Sequence, residues 1–440
     1  MKKSKGWSGS SIRKLARQRV QAEIEGAQKA SLTSSCSDDV NFASRKGFKA
    51  TPPNNASPEF LWGRFEKSYG DNVLIVVLDT LVDSGEEMGR LCSTLGLDCV
   101  DRMIVKAPNR ISAATYLGQG RLEGIKSRVD ALGVSAVAFE LPLSPVQVRN
   151  LEDELGVPVL DREGVILSIF KHHARTSLAK IQVELAQLKY LQSRLSGIWS
   201  GLSRQSGGGK GGVRSRGQGE TRLELDRRVI KDRISILNKR LKSAEKSVDT
   251  QSSKRSSLPR AALVGYTNAG KTTLMKRLTR ANLLEENKLF STLDTTVRVM
   301  NPPTDPKILI SDTVGFVRDL PHDLVHSFKS TLQEAVSSRV LIHVLDLSHI
   351  DWRDQFESTE SVLEEIGASG VERVFVLNKM DRVEDAVLLK KSAITRYIKA
   401  RFPDSPIFML SARTGEGVDS LKAGLQRLCS AKEPEWSVAL

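Results

Sequence analysis

Short apolar runs alternate with helical patterns along residues 71–170. The runs Asn72–Leu78, Cys99–Val105, Ala136–Phe139 and Val157–Leu160 have the length and bulk of buried strands. Strands that alternate with helices over about a hundred residues are typical of a parallel sheet. Between the last two runs, the Ser-Pro pair at Ser144 is predicted to start a helix. The pattern therefore predicts a small α/β domain in this part of the chain.

A helical period replaces the strand pattern in residues 171–257. Apolar residues recur there three or four positions apart in two stretches, which predicts two long amphipathic helices. The apolar positions are Ile181, Leu185, Leu188, Leu195, Ile230, Ile234, Leu237 and Leu241. A Gly-rich basic loop, residues 207–219, separates the two stretches. Helices joined in this way are expected to form an antiparallel hairpin.

Residues 258–440 return to strand-like runs, and each run ends in a polar motif. The runs are Ala261–Val264, Lys307–Ser311, Val374–Leu377 and Ile407–Leu410. The carboxyl ends of parallel strands meet at one edge of a sheet, so we expect these motifs to lie close together. The predicted fold class is α/β, with a mostly parallel sheet here, preceded by the small α/β domain and the helical hairpin.

The motif after the first of these runs fits the phosphate-loop pattern G-x-x-x-x-G-K-[ST] at every fixed position. Glycines let the backbone turn its N–H groups toward the phosphates, where a helix N-terminus also favours negative charge. Lys271 is expected to reach the β- and γ-phosphates, and the Thr272 hydroxyl to bind Mg²⁺. The predicted phosphate-loop contacts are Gly265, Tyr266, Thr267, Asn268, Ala269, Gly270, Lys271, Thr272 and Thr273.

The motifs after the other three runs predict a guanine nucleotide, GTP or GDP. Asp312 ends its strand and is suited to holding Mg²⁺ through a water, while the Gly315 N–H is suited to meeting the γ-phosphate. The Asp381 carboxylate can accept hydrogen bonds from guanine N1–H and the N2 amine, a donor pair that adenine lacks. The other predicted guanine-side residues are Asn378, Lys379, Ser411, Ala412 and Arg413. Together the four elements predict a P-loop GTPase domain.

The segment Phe290–Arg298 is interpreted as the first switch. A threonine hydroxyl in such a switch completes the Mg²⁺ shell only when the γ-phosphate is present. Thr296 is the predicted ligand, with Thr295 as the alternative, and Phe290 is included among the nucleotide-binding residues. The predicted catalytic residues are Lys271, Thr296 and Gly315, and the predicted metal ligands are Thr272, Thr296 and Asp312.

Phe316 follows Gly315, where many small GTPases place a glutamine that orients water. An apolar side chain cannot orient water, so intrinsic hydrolysis is expected to be slow and to need a partner surface or a monovalent cation. The side-chain carbonyl of Asn268 is suited to holding K⁺ beside the phosphates. Alternatively, Asn268 serves only the turn of the loop.

Positive charge is concentrated in two parts of the 440-residue chain, whose net charge is +14. Residues 171–257 carry 20 Lys/Arg against 7 Asp/Glu and residues 1–70 carry 13 against 6, whereas residues 258–440 carry 24 of each. Such clustering is typical of proteins that bind nucleic acid. A Gly-rich basic loop can follow a phosphate backbone, although a plain linker remains an alternative. The candidate RNA contacts are Lys210, Arg214 and Arg216.

Residues 1–70 are polar and basic, and they are predicted to be a mostly disordered extension. The first 22 residues lack acids, so a mitochondrial transit peptide is an alternative to a basic tail. No apolar run approaches the roughly 20 residues that span a bilayer. The four scattered cysteines fit a reducing compartment. The prediction is a cytoplasmic protein, with the mitochondrial matrix as the alternative.

Several of these motifs resemble the HflX family of translational GTPases. The resemblance is carried by Tyr116–Gly120, Leu143–Leu151, Gln182–Tyr190, Gly217–Thr221, Phe290–Asp294 and Asp312–Phe316. It runs from about Asp71 to Gly424 and is specific to that family rather than to P-loop proteins in general. It implies an N-terminal α/β subdomain, a helical hairpin and a GTPase domain.

The resemblance also implies a function. A protein of this family would hydrolyse GTP to GDP and bind the large ribosomal subunit near the peptidyl-transferase centre, splitting or rescuing ribosomes. The basic hairpin would then be the part that reaches rRNA, and a monomer is expected. The second hypothesis is a nucleotide-sensing RNA-binding module that acts in RNA remodelling or ribosome assembly.

Overall fold

The computed structural model describes residues 70–81, 84–205, 215–253, 258–280, 290, 296–318, 329–382 and 387–430. All of these residues belong to one compact unit, Ala56–Leu440. The predicted extension, apart from Gly70, lies outside the described residues. The same holds for the candidate RNA contacts Lys210 and Arg214 and for Thr295.

The described residues form strands and helices close to the predicted ones. The strands are β1 (Asn72–Leu78), β2 (Asp98–Val105), β3 (Ala136–Phe139), β4 (Val159–Asp161), β5 (Arg260–Val264), β6 (Thr296–Val299), β7 (Leu309–Asp312), β8 (Val340–Asp346), β9 (Glu372–Asn378) and β10 (Ile407–Met409). The α-helices are α1 (Ser84–Thr94), α2 (Gln119–Leu132), α3 (Pro145–Leu155), α4 (Arg162–His173), α5 (Ser177–Gln205), α6 (Ser215–Ser253), α7 (Lys271–Thr279), α8 (Lys329–Val336), α9 (Trp352–Glu365), α10 (Val387–Arg401) and α11 (Val418–Ser430).

The first four strands form a parallel sheet in the order β2-β1-β3-β4. Every residue of β1 after Asn72 is buried, as expected for an apolar run covered by helices on both faces. Alternate residues of β1 point to opposite faces. Val73, Ile75 and Val77 pack in the core that contains α1 and α4. Leu74, Val76 and Leu78 pack in the core on the other face, with α2 and α3.

The Ser-Pro helix start is confirmed at α3. The Ser144 hydroxyl accepts a hydrogen bond from the Gln147 backbone N, and the Gln147 side chain accepts one from the Ser144 backbone N. Pro145 occupies the first turn, where a missing N–H costs nothing. This reciprocal cap fixes where α3 begins and therefore where it leaves the sheet.

The two long helices α5 and α6 pack against each other, and the seam buries predicted positions such as Leu188, Ile230 and Leu237. The extent of the connecting loop was predicted wrongly. Helix α6 already begins at Ser215, so Arg216 lies in a helix rather than in the loop. Glycines at the start of a helix cost only about 1 kcal/mol each, and the good helix formers that follow offset that cost.

The remaining strands form a second sheet in the order β10-β9-β8-β5-β7-β6. All neighbours are parallel except β6, which runs antiparallel to β7 at the edge of the sheet. The predicted α/β fold class with a mostly parallel sheet is confirmed. Among the described residues, no helix is long and apolar enough to cross a membrane.

A buried arginine bonds to both the N-terminal α/β domain and the GTPase domain. Arg162, at the start of α4, is 1% exposed. Its guanidinium donates to Glu87 at 2.8 Å, to Glu140, and through Nε to the backbone oxygen of Arg318 at 3.1 Å. A buried cation that satisfies two carboxylates and a carbonyl fixes the distance between the elements that carry them.

We expect Arg162→Met to lower the free energy of unfolding by about 3–5 kcal/mol, because the cation shared by the buried Glu140 and the half-buried Glu87 is lost. Chemical denaturation of the full chain measures the change. Arg128→Met is the control, since Arg128 pairs with Asp101 in the same domain but both side chains are partly exposed. The control is expected to lose less than about 1 kcal/mol. Equal losses in the two variants would contradict the prediction.

Candidate nucleotide-binding site

The phosphate loop lies between the end of β5 and the start of α7, and two glycines are required for its shape. Gly265 has φ 142°, and a Cβ there would lie 2.3 Å from the backbone oxygen of Val344. Gly270 has φ 95°, and a Cβ there would lie 2.3 Å from Asn378 Nδ2. Any side chain at either position would push the loop off the strands beneath it.

Lys271, the first residue of α7, folds back over the loop. Its Nζ donates to the backbone oxygens of Gly265 at 2.9 Å and Tyr266 at 2.8 Å. Burial lowers the pKa of this ammonium to about 8, because removal from water disfavours the charged form. The Lys271 side chain starts at the N-terminus of α7 and folds back over the phosphate loop. A helix N-terminus favours a bound anion.

Some of the other phosphate-loop residues face the nucleotide site, and others hold the loop in place. Asn268 is exposed with φ 58°, a conformation that asparagine tolerates. Tyr266 instead turns its side chain away: its hydroxyl donates to Glu87 at 2.7 Å and accepts from the Arg318 backbone N at 2.8 Å. Thr267 donates its backbone N–H to the Phe316 carbonyl at 2.7 Å.

The three predicted metal ligands are brought together at the end of β7. The Thr272 hydroxyl donates to Asp312 Oδ2 at 2.9 Å. Thr296 lies directly opposite Asp312 in the antiparallel pairing of β6 and β7. Residues opposite each other in such a pair share one face of the sheet. An oxygen cluster of this kind suits a hard divalent cation such as Mg²⁺.

Gly315 packs directly against the phosphate loop. A Cβ there would lie 2.8 Å from Thr267 Cγ2 and 3.0 Å from Lys271 Nζ, so no side chain fits. The next residue, Phe316, is 1% exposed and buries its ring in the core. Its backbone N–H donates to the Gly265 carbonyl at 3.2 Å. The segment after Asp312 is thus held on the loop by backbone contacts.

Phe290 is a predicted nucleotide-binding residue that the structure does not bring into the site. It is 2% exposed, and its ring packs edge-on against Phe170 of α4 with a centroid distance of 4.5 Å. An aromatic pair of this kind is stabilising in a core. The ring therefore anchors the first switch segment to the N-terminal domain.

The guanine-side loops are tied together by Asn378. Its Nδ2 donates to the Ala269 carbonyl at 2.8 Å, and its Oδ1 accepts from the Ala412 backbone N at 2.9 Å. Lys379 pairs with Asp346 at 2.7 Å. Thr273 lines an open cleft of about 540 Å³ together with Ala412 and Arg413.

Asp381 is held in its ionised form. Its Oδ1 accepts from the Ser411 hydroxyl at 2.5 Å, and its Oδ2 pairs with the Arg413 guanidinium at 2.6 Å. The hydrogen bond from Ser411, with smaller contributions from neighbouring arginines, lowers the pKa of the carboxyl. An ionised carboxylate is the acceptor that the two guanine donors require.

Arg277 is a site residue that sequence reasoning missed. From α7 its Nε donates to the Ala412 carbonyl at 3.0 Å, and its Nη2 donates to the Arg413 carbonyl. It thereby supports the loop that follows β10. No motif marks it, because its partners are backbone oxygens far along the chain.

A phosphate loop combined with an aspartate that selects guanine defines the class of P-loop GTPases. Comparison with known proteins agrees with this class. Residues 83–171 match a family described as GTP-binding GTPase N-terminal, residues 173–255 one described as GTP-binding GTPase Middle Region, and residues 260–379 one described as 50S ribosome-binding GTPase.

The relatives identify the family. A GTPase HflX from Lacrimispora saccharolytica is 40% identical over 385 residues, which cover 83% of this chain and 88% of the relative. Another from Magnetococcus marinus is 42% identical over 357 residues, covering 81% and 80%. A solved GTP-binding protein from Sulfolobus solfataricus in complex with GDP is 27% identical, covers 82% and 98%, and gives a TM-score of 0.43.

The chain belongs to the HflX family of GTPases. The predicted resemblance is confirmed, and so is the prediction that the chain is a GTP-binding GTPase.

We expect GTP affinity to fall as the pH rises through about 8, because Lys271 then loses the proton that contacts phosphate. Bound phosphate raises the pKa of the ammonium, so binding near pH 8 takes up protons. At pH 9 the dissociation constant should be about tenfold higher than at pH 7. Calorimetric titrations in two buffers of different ionisation enthalpy measure both effects. A constant affinity without proton uptake would contradict the burial of this lysine.

Arg277→Ala should weaken GTP binding about tenfold while leaving the rate at saturating GTP unchanged, because it loosens the guanine-side loop without touching the phosphates. Fluorescent-nucleotide titration and turnover measure the two quantities. Arg427→Ala is the control: Arg427 is an exposed arginine of α11 that also donates to a backbone oxygen. A loss of turnover at saturation in Arg277→Ala would count against a purely positioning role.

Proposed function

We propose that this GTPase couples GTP hydrolysis to binding of the large ribosomal subunit and to the splitting or rescue of ribosomes. The observation that carries the proposal is the attachment of a strongly basic helical hairpin, residues 171–257, to a GTPase domain with equal numbers of acidic and basic residues. The match of residues 260–379 to a family described as 50S ribosome-binding GTPase supports it.

Mg²⁺ fits the oxygen donors at the end of β7. Thr272 and Thr296 offer hydroxyls and Asp312 offers a buried carboxylate, which is the donor set that Mg²⁺ prefers. When bound, the ion would neutralise charge on the β- and γ-phosphates. Lys271 would bind the same phosphates from the opposite side, and the Gly315 N–H would donate to the γ-phosphate.

The same residues would report which nucleotide is bound. Thr296 and Gly315 flank Asp312 on segments whose contacts with the γ-phosphate exist only before hydrolysis. GTP would hold both segments against the phosphate loop and favour the ribosome-bound state. Hydrolysis would remove these contacts and release the protein.

The hairpin is the proposed rRNA-binding part. Positive charge carried by two long helices suits a polyanionic surface near the peptidyl-transferase centre. Lys210, Arg214 and Arg216 are the proposed contacts. We propose a monomeric protein that acts in the cytoplasm, where ribosomes are its partner.

The second candidate is a nucleotide-sensing factor in RNA remodelling or ribosome assembly. The same basic hairpin favours it, since positive charge does not select one RNA. Replacing Lys210, Arg214 and Arg216 together separates the two candidates. Loss of ribosome splitting with RNA binding retained elsewhere favours the first, and general loss of RNA binding favours the second.

We expect purified large ribosomal subunits to stimulate GTP turnover strongly, because Phe316 is buried and cannot orient the attacking water. Turnover with and without subunits is measured in K⁺ buffer and repeated in Na⁺ buffer. Higher rates in K⁺ would support a role for Asn268 in holding this cation, and equal rates would exclude it. Fast turnover without subunits, and no stimulation by them, would contradict the ribosome-gated reaction.

A further inference from the structure

Hydrolysis of GTP requires a water molecule held in line with the bond that breaks. In this chain the residue after Gly315 cannot hold it. The ring of Phe316 lies in the core, and its backbone N–H and carbonyl both bond to the phosphate loop. Any side chain of this protein that positions the water must therefore come from another element.

Thr267 of the phosphate loop lies next to Gly315 and Lys271. Its methyl carbon is 2.8 Å from the point where a Cβ at Gly315 would stand, and Lys271 Nζ is 3.0 Å from that same point. Lys271 and Gly315 are the proposed ligands of the γ-phosphate. The methyl group of Thr267 thus lies beside both proposed ligands, which places its side chain next to the proposed position of the terminal phosphate.

The hydroxyl of Thr267 is buried and, within the part of the chain that the structure describes, unpaired. Thr267 is 6% exposed, and among the described residues its Oγ1 has no hydrogen-bond partner. Other threonines nearby are satisfied: Thr313 donates to the Leu263 carbonyl at 2.6 Å and Thr279 to the Met275 carbonyl at 2.8 Å. A buried hydroxyl left unpaired costs about 1–3 kcal/mol, a cost that a bound water or phosphate oxygen removes.

A cleft of about 230 Å³ lies next to this part of the phosphate loop and is lined in part by Thr267, Asn268 and Arg318. This volume is several times that of one water molecule. Residues of α1, among them Glu87, line the cleft as well.

We propose that Thr267 Oγ1 is a catalytic group that holds the attacking water beside the γ-phosphate. A hydroxyl both accepts and donates, so it can accept a hydrogen bond from the water and donate one to a γ-phosphate oxygen. It thereby supplies one of the contacts to water that the buried Phe316 cannot make. The inference rests on the GTPase activity itself and is independent of the ribosomal partner.

The step balances without a further reactant. A lone pair of the water oxygen forms the bond to the γ-phosphorus, and the bond from that phosphorus to the bridging oxygen breaks. The electron pair of the broken bond stays on the β-phosphate of GDP. One proton of the water passes to a γ-phosphate oxygen and the other stays on the attacking oxygen, giving dihydrogen phosphate. Thr267 orients the water throughout and is unchanged at the end.

The test is single-turnover hydrolysis of GTP by the full chain, without ribosomes, alongside nucleotide affinity. Thr267→Val keeps the shape and removes the hydroxyl, so the rate should fall by about 100-fold, as when one preorganised transition-state contact is lost. Thr267→Ser keeps the hydroxyl and should restore most of the rate. GTP affinity should change by less than about twofold in both variants, because a group that acts in the transition state contributes little to ground-state binding.

Two controls exclude a steric or structural cause. Thr279→Val makes the same substitution at the C-terminal end of α7, away from the phosphate loop, and should leave the rate unchanged. Thr267→Ala also removes the methyl group that lies against Gly315, and it should be as slow as Thr267→Val.

Three results would overturn the proposal. A normal rate in Thr267→Val would show that the hydroxyl is idle. Weaker GTP binding with a normal rate would make it a ground-state phosphate ligand. A normal rate in Thr267→Ala would assign the effect to crowding at Gly315. Since ribosomes are absent, none of these results depends on whether the ribosome is the partner.

Discussion

The side-chain amide of Asn378 is the interaction on which the nucleotide site depends. It donates to the phosphate loop at Ala269 and accepts from the guanine-side loop at Ala412, two loops that are far apart in the chain. Only a side chain that both donates and accepts can satisfy the two loops at once. Asn378 is also buried, so water cannot substitute for either bond. One amide therefore bonds directly to both loops and holds the phosphate loop next to the guanine-side loop.

The N-terminal domain is part of this arrangement rather than an appendage. The hydroxyl of Tyr266 joins the phosphate loop, the segment after Gly315 and helix α1, while Arg162 reaches the same segment from α4. These bonds are partly buried, so displacement of either segment breaks contacts that are partly shielded from water. Phe290 packs on Phe170 and adds an aromatic contact to the same domain. The N-terminal domain therefore supports the phosphate loop and the segment after Gly315.

Local patterns made much of the fold predictable. The strand Ala136–Phe139 and the Ser144 cap follow from apolar runs and short-range capping, and both stand where predicted. The phosphate loop was predictable because its shape demands glycine at two fixed positions. Arg162 and Arg277 were not predictable, since an arginine in a helix looks the same whether it meets solvent or a buried carbonyl. The start of α6 was missed because glycine penalties are small beside the gain from a long packed helix. Phe290 was included among the nucleotide-binding residues because it lies in the predicted first switch, whereas tertiary packing placed its ring in the core.

The antiparallel edge strand β6 constrains where Thr296 can stand. Thr296 lies opposite Asp312 in the pairing of β6 with β7. Side chains alternate between faces along a strand, so a slip of one residue would turn the Thr296 hydroxyl to the other face. The proposed metal contact of Thr296 therefore depends on this one register of the edge strand.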